Sequence, residues 1–199
     1  MLIPKSVKYV VGVDEVGRGP LAGPVTVAAV CVSLKVWQKL PRVRDSKQLS
    51  LMNRQKWKRE LLTQKNKGKL WCARASISNT KIDEIGIVRA VRRAIALTLT
   101  KLDLPPRECL VLLDGSLYAP ANYPHQKTII RGDASETIIA LASIWAKVHR
   151  DAYLAHLAKT YPQYGFEVHK GYGTALHYQA LRRLGLTPIH RRSFLKKLA

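Results

Sequence analysis

Residues 9–15 read Tyr9-Val10-Val11-Gly12-Val13-Asp14-Glu15, and the chain continues Val16-Gly17-Arg18-Gly19-Pro20-Leu21-Ala22-Gly23-Pro24. The first part is β-branched and aromatic, as in a buried strand, and it ends at two adjacent acids. The second part is punctuated by glycine and proline, so a loop follows. Val25 to Leu34 is apolar again and reads as a second strand, close enough to the first to pair antiparallel with it.

Working outward, Lys35 to Lys69 carries twelve Lys or Arg against only Asp45 and Glu60. Within it Ser50 is a candidate cap for a helix reaching about Leu62, and Leu70–Ile77 reads as a third strand. Thr80 with Asp83 resembles a capping box. Ile85, Val88, Val91, Ile95, Leu99 and Leu102 then give one apolar helical face, which Pro105-Pro106 stops. Cys109–Leu113 is a short strand ending at Asp114-Gly115, and Gln126–Arg131 is another ending at Gly132-Asp133. Ala134 to about Lys159 reads as one long helix broken at Pro162, and Thr174 caps a last helix to about Leu184. Strands first, then helix, strand, strand and helices, describe an α/β sheet with helices on its faces.

The chain has 199 residues, 47% of them hydrophobic, enough for a sizeable core. Its 34 Lys and Arg against 13 Asp and Glu give a net charge of +21, a field that attracts polyanions, nucleic acid first among them. No long basic amphipathic helix or apolar span points to a membrane. Cys31, Cys72 and Cys109 form neither a zinc pattern nor a disulfide framework; Cys31 and Cys109 read as buried thiols. The opening Met1-Leu2-Ile3-Pro4-Lys5 lacks the layout of a secretion signal, so a cytoplasmic location is expected.

With acids this scarce, their placement is informative. Asp14, Glu15, Asp114 and Asp133 all fall at strand ends, where α/β sheets bind ligands. Carboxylates gathered there would repel one another without a cation, and an oxygen-only donor set suits Mg²⁺ or Mn²⁺. Each has a plainer alternative. Asp114-Gly115 also reads as a simple turn, and Asp133 as a helix cap completed by Glu136. Asp14 and Glu15, as strand neighbours, should point to opposite faces unless the strand ends or distorts there.

Residues 13–24 resemble the opening signature of the ribonuclease HII family. Six further blocks follow in family order: Asp45-Ser46-Lys47-Gln48-Leu49-Ser50, Asp114-Gly115, Arg131-Gly132-Asp133, residues 142–151, residues 161–166 with His169-Lys170-Gly171-Tyr172-Gly173-Thr174, and His190-Arg191-Arg192-Ser193-Phe194. Together they span nearly the whole chain. The sister type, ribonuclease HIII, carries an N-terminal extension and lacks the arginine of this glycine loop, so Arg18 favours type HII.

The resemblance implies a ribonuclease-H-like fold, a mixed five-stranded sheet flanked by helices, in a single catalytic domain over residues 1–199 with a basic helical extension from about residue 160. It implies an endonuclease that hydrolyses the RNA strand of RNA–DNA hybrids and cuts 5′ of single ribonucleotides in duplex DNA. Two Mg²⁺ or Mn²⁺ ions would be held by Asp14, Glu15, Asp114 and Asp133, and the products would end in 3′-hydroxyl and 5′-phosphate. Gly17, Arg18 and Gly19 match the element that reads the ribose 2′-hydroxyl, and Tyr172 matches a tyrosine that packs on the next sugar. Lys47, Lys147 and Lys170 are candidates to meet phosphates, though each also reads as a solvated surface charge. A monomer is expected. Asp151 reads as a structural ion-pair partner. Two rival functions are a DNA-cutting nuclease on the same fold and a non-catalytic basic RNA-binding protein.

Overall fold

The computed structural model describes residues 3–41, 43 and 50–196. Five strands, β1 (Tyr9–Val16), β2 (Val25–Ser33), β3 (Trp71–Ile77), β4 (Cys109–Asp114) and β5 (His125–Ile129), form one sheet in the order β3-β2-β1-β4-β5. β1–β2 and β2–β3 are antiparallel, whereas β1–β4 and β4–β5 are parallel, so the sheet is mixed as expected.

Eight helices accompany it among the described residues: α1 (Leu34–Trp37), α2 (Leu51–Asn66), α3 (Asn79–Ile85), α4 (Ile87–Thr100), α5 (Gly132–Ser135), α6 (Thr137–Thr160), α7 (Phe166–His169) and α8 (Ala175–Leu184). Strand alternation divides the core into two layers. Val11, Val13, Val27 and Val111 pack with Val91, Ile95 and Leu99 of α4. Val10, Ala28, Val30 and Leu112 pack with Ile138, Ile139 and Ile144 of α6. Gly12 faces the second layer, and a Cβ there would stand 2.2 Å from the Ile138 carbonyl oxygen. The glycine therefore lets the first turn of α6 lie directly on β1, which brings α6 over the end of that strand.

Several expectations need correction. The helix expected from Thr80 to Leu102 is two, because Gly86 breaks it at φ 79°. Ser78, not Thr80, caps the first, accepting a hydrogen bond from the Lys81 amide. Asp83 caps nothing on its own helix; its carboxylate accepts from the Arg192 and Ser193 amides. The helix expected from Ala134 is likewise interrupted, since Glu136 adopts extended backbone between α5 and α6 and makes no capping hydrogen bond through its side chain. The box of Asp133 and Glu136, the plainer alternative for Asp133, is therefore not formed. Cys31 and Cys109 are buried thiols, as read. Among the described residues no helix is long and apolar enough to cross a membrane.

Residues 162–196 carry α7 and α8 and make a third apolar cluster, in which Tyr164, Phe166, Leu181 and Leu195 close on Leu21 and Ala22 of the glycine loop. The chain's end is thereby packed behind the loop that follows β1.

Candidate active site

β1 does not end at Val13. It pairs with β2 through Val16 opposite Thr26, while its pairing with β4 stops at Val13 opposite Leu113. The two parallel strands part just as each reaches its acid, so Asp14 and Asp114 stand at the same level. Beyond Val13 the flank of β1 on the β4 side has no paired strand, which leaves room for Glu15 to reach the same space. This is what reconciles the two adjacent acids with strand alternation. Asp14, Glu15 and Asp114 line one cavity of about 380 Å³, together with Gly17, Arg18, Gly19, Ser143, Lys147 and Tyr172.

Asp14 is almost wholly buried. Burial raises its pKa to about 8; a Ser143 hydrogen bond and the Glu15 amide oppose the rise, while the charges of Glu15 and Asp114 add to it. Its Oδ1 accepts from the Glu15 N–H at 2.7 Å. Glu15 Oε1 lies 3.8 Å from the Arg18 guanidinium. Asp133 is buried, and its backbone N–H donates to Asp114 Oδ1 at 3.3 Å, but its side chain is not among those lining the cavity. Among the described residues no three His, Cys, Asp or Glu side chains are drawn into a closed ligand set. The donor chemistry fits a divalent cation all the same. Three carboxylates line one cavity, and the ionised form of the most buried is disfavoured by its burial and then by the charges of the other two, a cost that a cation would offset.

The residues expected to meet substrate fall into three groups. Gly17, Arg18, Gly19 and Tyr172 share the acid cavity. Tyr172 is 46% exposed, so it is no core residue, and its ring edge would stand 3.8 Å from a Cβ at Gly19. Lys147 also lines the cavity and pairs with Asp151 at 3.2 Å, the ion-pair role expected of Asp151. Lys170 lines a different groove, and Lys47 lies outside the described residues.

Two buried arginines that sequence reasoning missed hold the glycine loop. Arg191 is fully buried and donates to three carbonyls: Gly17 O at 2.6 Å, Arg18 O at 2.9 Å and Gly23 O at 2.9 Å. Arg150 donates to Pro24 O and Ala22 O. Gly17 has φ 86°, and a Cβ there would come within 2.6 Å of the Arg150 guanidinium, so the position excludes any side chain. A trans peptide sets its C=O and N–H in opposite directions. With the Gly17 and Arg18 carbonyls drawn onto Arg191, the Arg18 and Gly19 amides point away from it. The available signal was helical spacing in α6: Arg150 stands four residues from Ala146 and four from Leu154, on one apolar line where arginine is rare unless paired.

Three histidines sit behind Tyr172, and their partners determine the tautomers. His190 Nδ1 accepts from the Thr187 N–H at 2.9 Å, so its Nε2–H donates to His177 Nε2 at 3.0 Å. His177 Nδ1–H in turn donates to the Tyr172 carbonyl at 2.9 Å. His169 Nδ1 accepts from the Gly171 N–H, and its Nε2–H donates to Tyr164 O. Burial pushes the pKa of both His177 and His190 down to about 4, which keeps these two rings neutral. A proton added to His177 would oppose the His190 Nε2–H, and one added to His190 would face the Thr187 amide. Because both folded values lie below the free value of 6.5, the unfolded chain binds more protons between about pH 6.5 and 4. Stability should therefore fall as pH drops through that window. Amide exchange at pH 5 against pH 7.5 should show residues 170–191 losing protection before β1 and β4. Uniform loss across the chain would count against the histidine chain as the cause.

The sequence matches the family model described as Ribonuclease HII over residues 11–197. It is 47% identical to ribonuclease HII of Thermosynechococcus vestitus over 189 residues, covering 95% of this chain and 85% of that protein. It is 42% identical to ribonuclease HII of Chlamydia pneumoniae over 193 residues, covering 97% and 86%. In structure it is similar to ribonuclease HII of Archaeoglobus fulgidus, solved in complex with PCNA, with a TM-score of 0.73 at 22% identity over 92% of this chain and 93% of that one. The chain accordingly belongs to the ribonuclease HII family and is a nuclease of the ribonuclease H type.

Proposed function

We propose that the chain hydrolyses the RNA strand of RNA–DNA hybrids and cuts 5′ of a lone ribonucleotide in duplex DNA, with two Mg²⁺ or Mn²⁺ ions bound during the reaction. The observation that carries this is the cavity in which an oxygen-only acid set faces the glycine loop and Tyr172. Asp14, Glu15 and Asp114 would hold the ions, with Asp133 beside Asp114. Bound there, a divalent pair supplies an activated water and stabilises the leaving oxygen, so that 3′-hydroxyl and 5′-phosphate ends result.

The rest is the work of the chain's own groups. The Arg18 and Gly19 amides, aimed away from Arg191, are donors for a ribose 2′-oxygen, the atom that separates RNA from DNA locally. Tyr172, exposed beside Gly19, offers a flat face to the next sugar, where a second 2′-hydroxyl would crowd it. Lys147, held by Asp151, places a positive charge beside the acids for a phosphate. The Arg18 side chain, nearly half exposed, is secondary to its own backbone.

Single-turnover rates on duplexes with one ribonucleotide, four ribonucleotides and an all-RNA strand test the reading. Wild type should cut the lone ribonucleotide and cut the full hybrid less well. Tyr172→Ala should slow the lone-ribonucleotide reaction by about 1–3 kcal/mol, the worth of one stacking interaction, and so erase much of the preference. An equal factor on all three substrates would make Tyr172 structural. A lone ribonucleotide left uncut by wild type would overturn the substrate assignment.

A further inference from the structure

Next to the acid cavity lies a larger groove, about 500 Å³, between α2 and α6. Arg54, Lys58 and Arg59 of α2 and Lys170 at the end of α7 line it, over a floor that includes Ala152 and Ala155 of α6. Asp151 is the one carboxylate among the lining residues, and Lys147 already matches its charge at 3.2 Å. The two hollows are contiguous through that pair, since Lys147 belongs to the acid cavity and Asp151 to the groove. Lys170 and Tyr172, two residues apart, divide in the same way. α2 itself is unusual. Leu61 is buried and Trp57 partly so, but the rest of its 16 residues are largely polar and basic. A helix so poor in apolar surface is held at its place for some purpose other than core formation.

We infer that this groove is a phosphate track for one arm of the duplex whose cut site occupies the acid cavity. The inference rests on the reading given under Proposed function. Val148 to Ala155 spans eight helical residues, seven rises of 1.5 Å or about 10 Å of α6. A duplex strand carries one phosphate per roughly 3.4 Å of axis, so the groove has the length of about three phosphates, close to its complement of cations. Small alanines keep the floor shallow, and long Lys and Arg stems can follow a backbone along it. Interactions of this kind fix register without reading sequence. They also assign a role to part of the basic excess between residues 35 and 69.

The test compares Lys58→Gln/Arg59→Gln with Lys35→Gln/Lys39→Gln, a basic pair of equal charge on the exposed surface around α1. Anisotropy titrations with chelator present would use a long duplex containing one ribonucleotide and two versions of it trimmed on either side. Each phosphate that is no longer neutralised should lower the slope of log affinity against log salt by about 0.9, so the groove variant should fall by roughly 2 on the long duplex. It should match wild type on the duplex trimmed on one side, and in cleavage assays KM should rise with kcat unchanged. An equal fall in slope for the Lys35/Lys39 variant would reduce the effect to the general field of the chain and overturn the track. So would a fall that persists when either arm is trimmed. Wild-type failure to cut any of these duplexes would overturn the reading of the acid cavity instead, while the slopes still judge the groove.

Discussion

Asp14→Asn should abolish cleavage, by on the order of a thousandfold or more, while making the metal-free protein more stable. Three decades of rate correspond to about 4 kcal/mol of transition-state stabilisation. The loss follows from removing the carboxylate that is deepest in the acid wall and shares its level with Asp114. The gain in stability follows from the same burial. The folded-state pKa of about 8 stands above the unfolded value near 3.8, so the folded chain binds the proton more tightly. Stability is therefore lost as pH rises from about 4 through 8, where an ionised Asp14 is buried beside Glu15 and Asp114. Asparagine carries no such charge. In chelator at pH 8 the variant should melt several degrees higher, at about 2–4 °C per kcal/mol for a chain of this size, and the difference should shrink toward pH 4. Duplex binding should hold or improve, because a negative charge is removed from a surface that attracts phosphate. Wild-type turnover in Mg²⁺, or a variant that melts lower at pH 8, would refute the placement of Asp14.

Arg191→Lys should be the most damaging substitution outside the acids. Arginine alone offers a planar fork with donors enough for the Gly17, Arg18 and Gly23 carbonyls together. Lysine keeps the charge but cannot satisfy three fixed directions from one ammonium. Each buried carbonyl left without its donor costs about 1–3 kcal/mol, so Arg191→Ala risks unfolding and the lysine variant is the informative one. Arg191 is a positioning residue: with its fork gone, the Arg18 and Gly19 amides are no longer aimed. The expected pattern is a fall of about tenfold to a hundredfold in kcat on the lone-ribonucleotide duplex and on the all-RNA hybrid alike, because both present a ribose 2′-oxygen to the amides, with near-normal affinity. Rates measured well below the variant's melting temperature separate this from simple destabilisation. An unchanged kcat on both substrates, with only the melting temperature lowered, would leave Arg191 as a structural residue only.

The glycine loop shows why the acids were legible and their supports were not. Asp14, Glu15 and Asp114 were visible because acids are scarce in a +21 chain and each follows an apolar strand. Arg150 and Arg191 were hidden among 34 Lys and Arg, most of them on the surface. Nothing local distinguishes the Arg191 guanidinium, which binds carbonyls more than 100 residues away in sequence. His169, His177 and His190 had the same obscurity, since their hydrogen bonds join residues that only the packing of α7 and α8 brings together.

What the sequence by itself determined was everything short-ranged or repeated along the chain. Apolar, β-branched runs and the apolar stripe of α4 were enough to place the five strands and the longer helices, though not the short α1, α5 and α7, and the ordered motif blocks were enough to indicate the family. The breaks at Gly86 and Glu136 escaped, because a helical pattern continues across a residue whose backbone leaves the helix. Only the tertiary structure decided how two neighbouring acids on one strand reach a single cavity. The answer lies in the ladder, where β1 outruns β4 after Val13, and a ladder's end is a property of two strands rather than one. Likewise only the fold decided that Lys147 faces the acids while Lys170 faces the groove. Charge is written in the sequence, but its direction is set by the elements that pack around it.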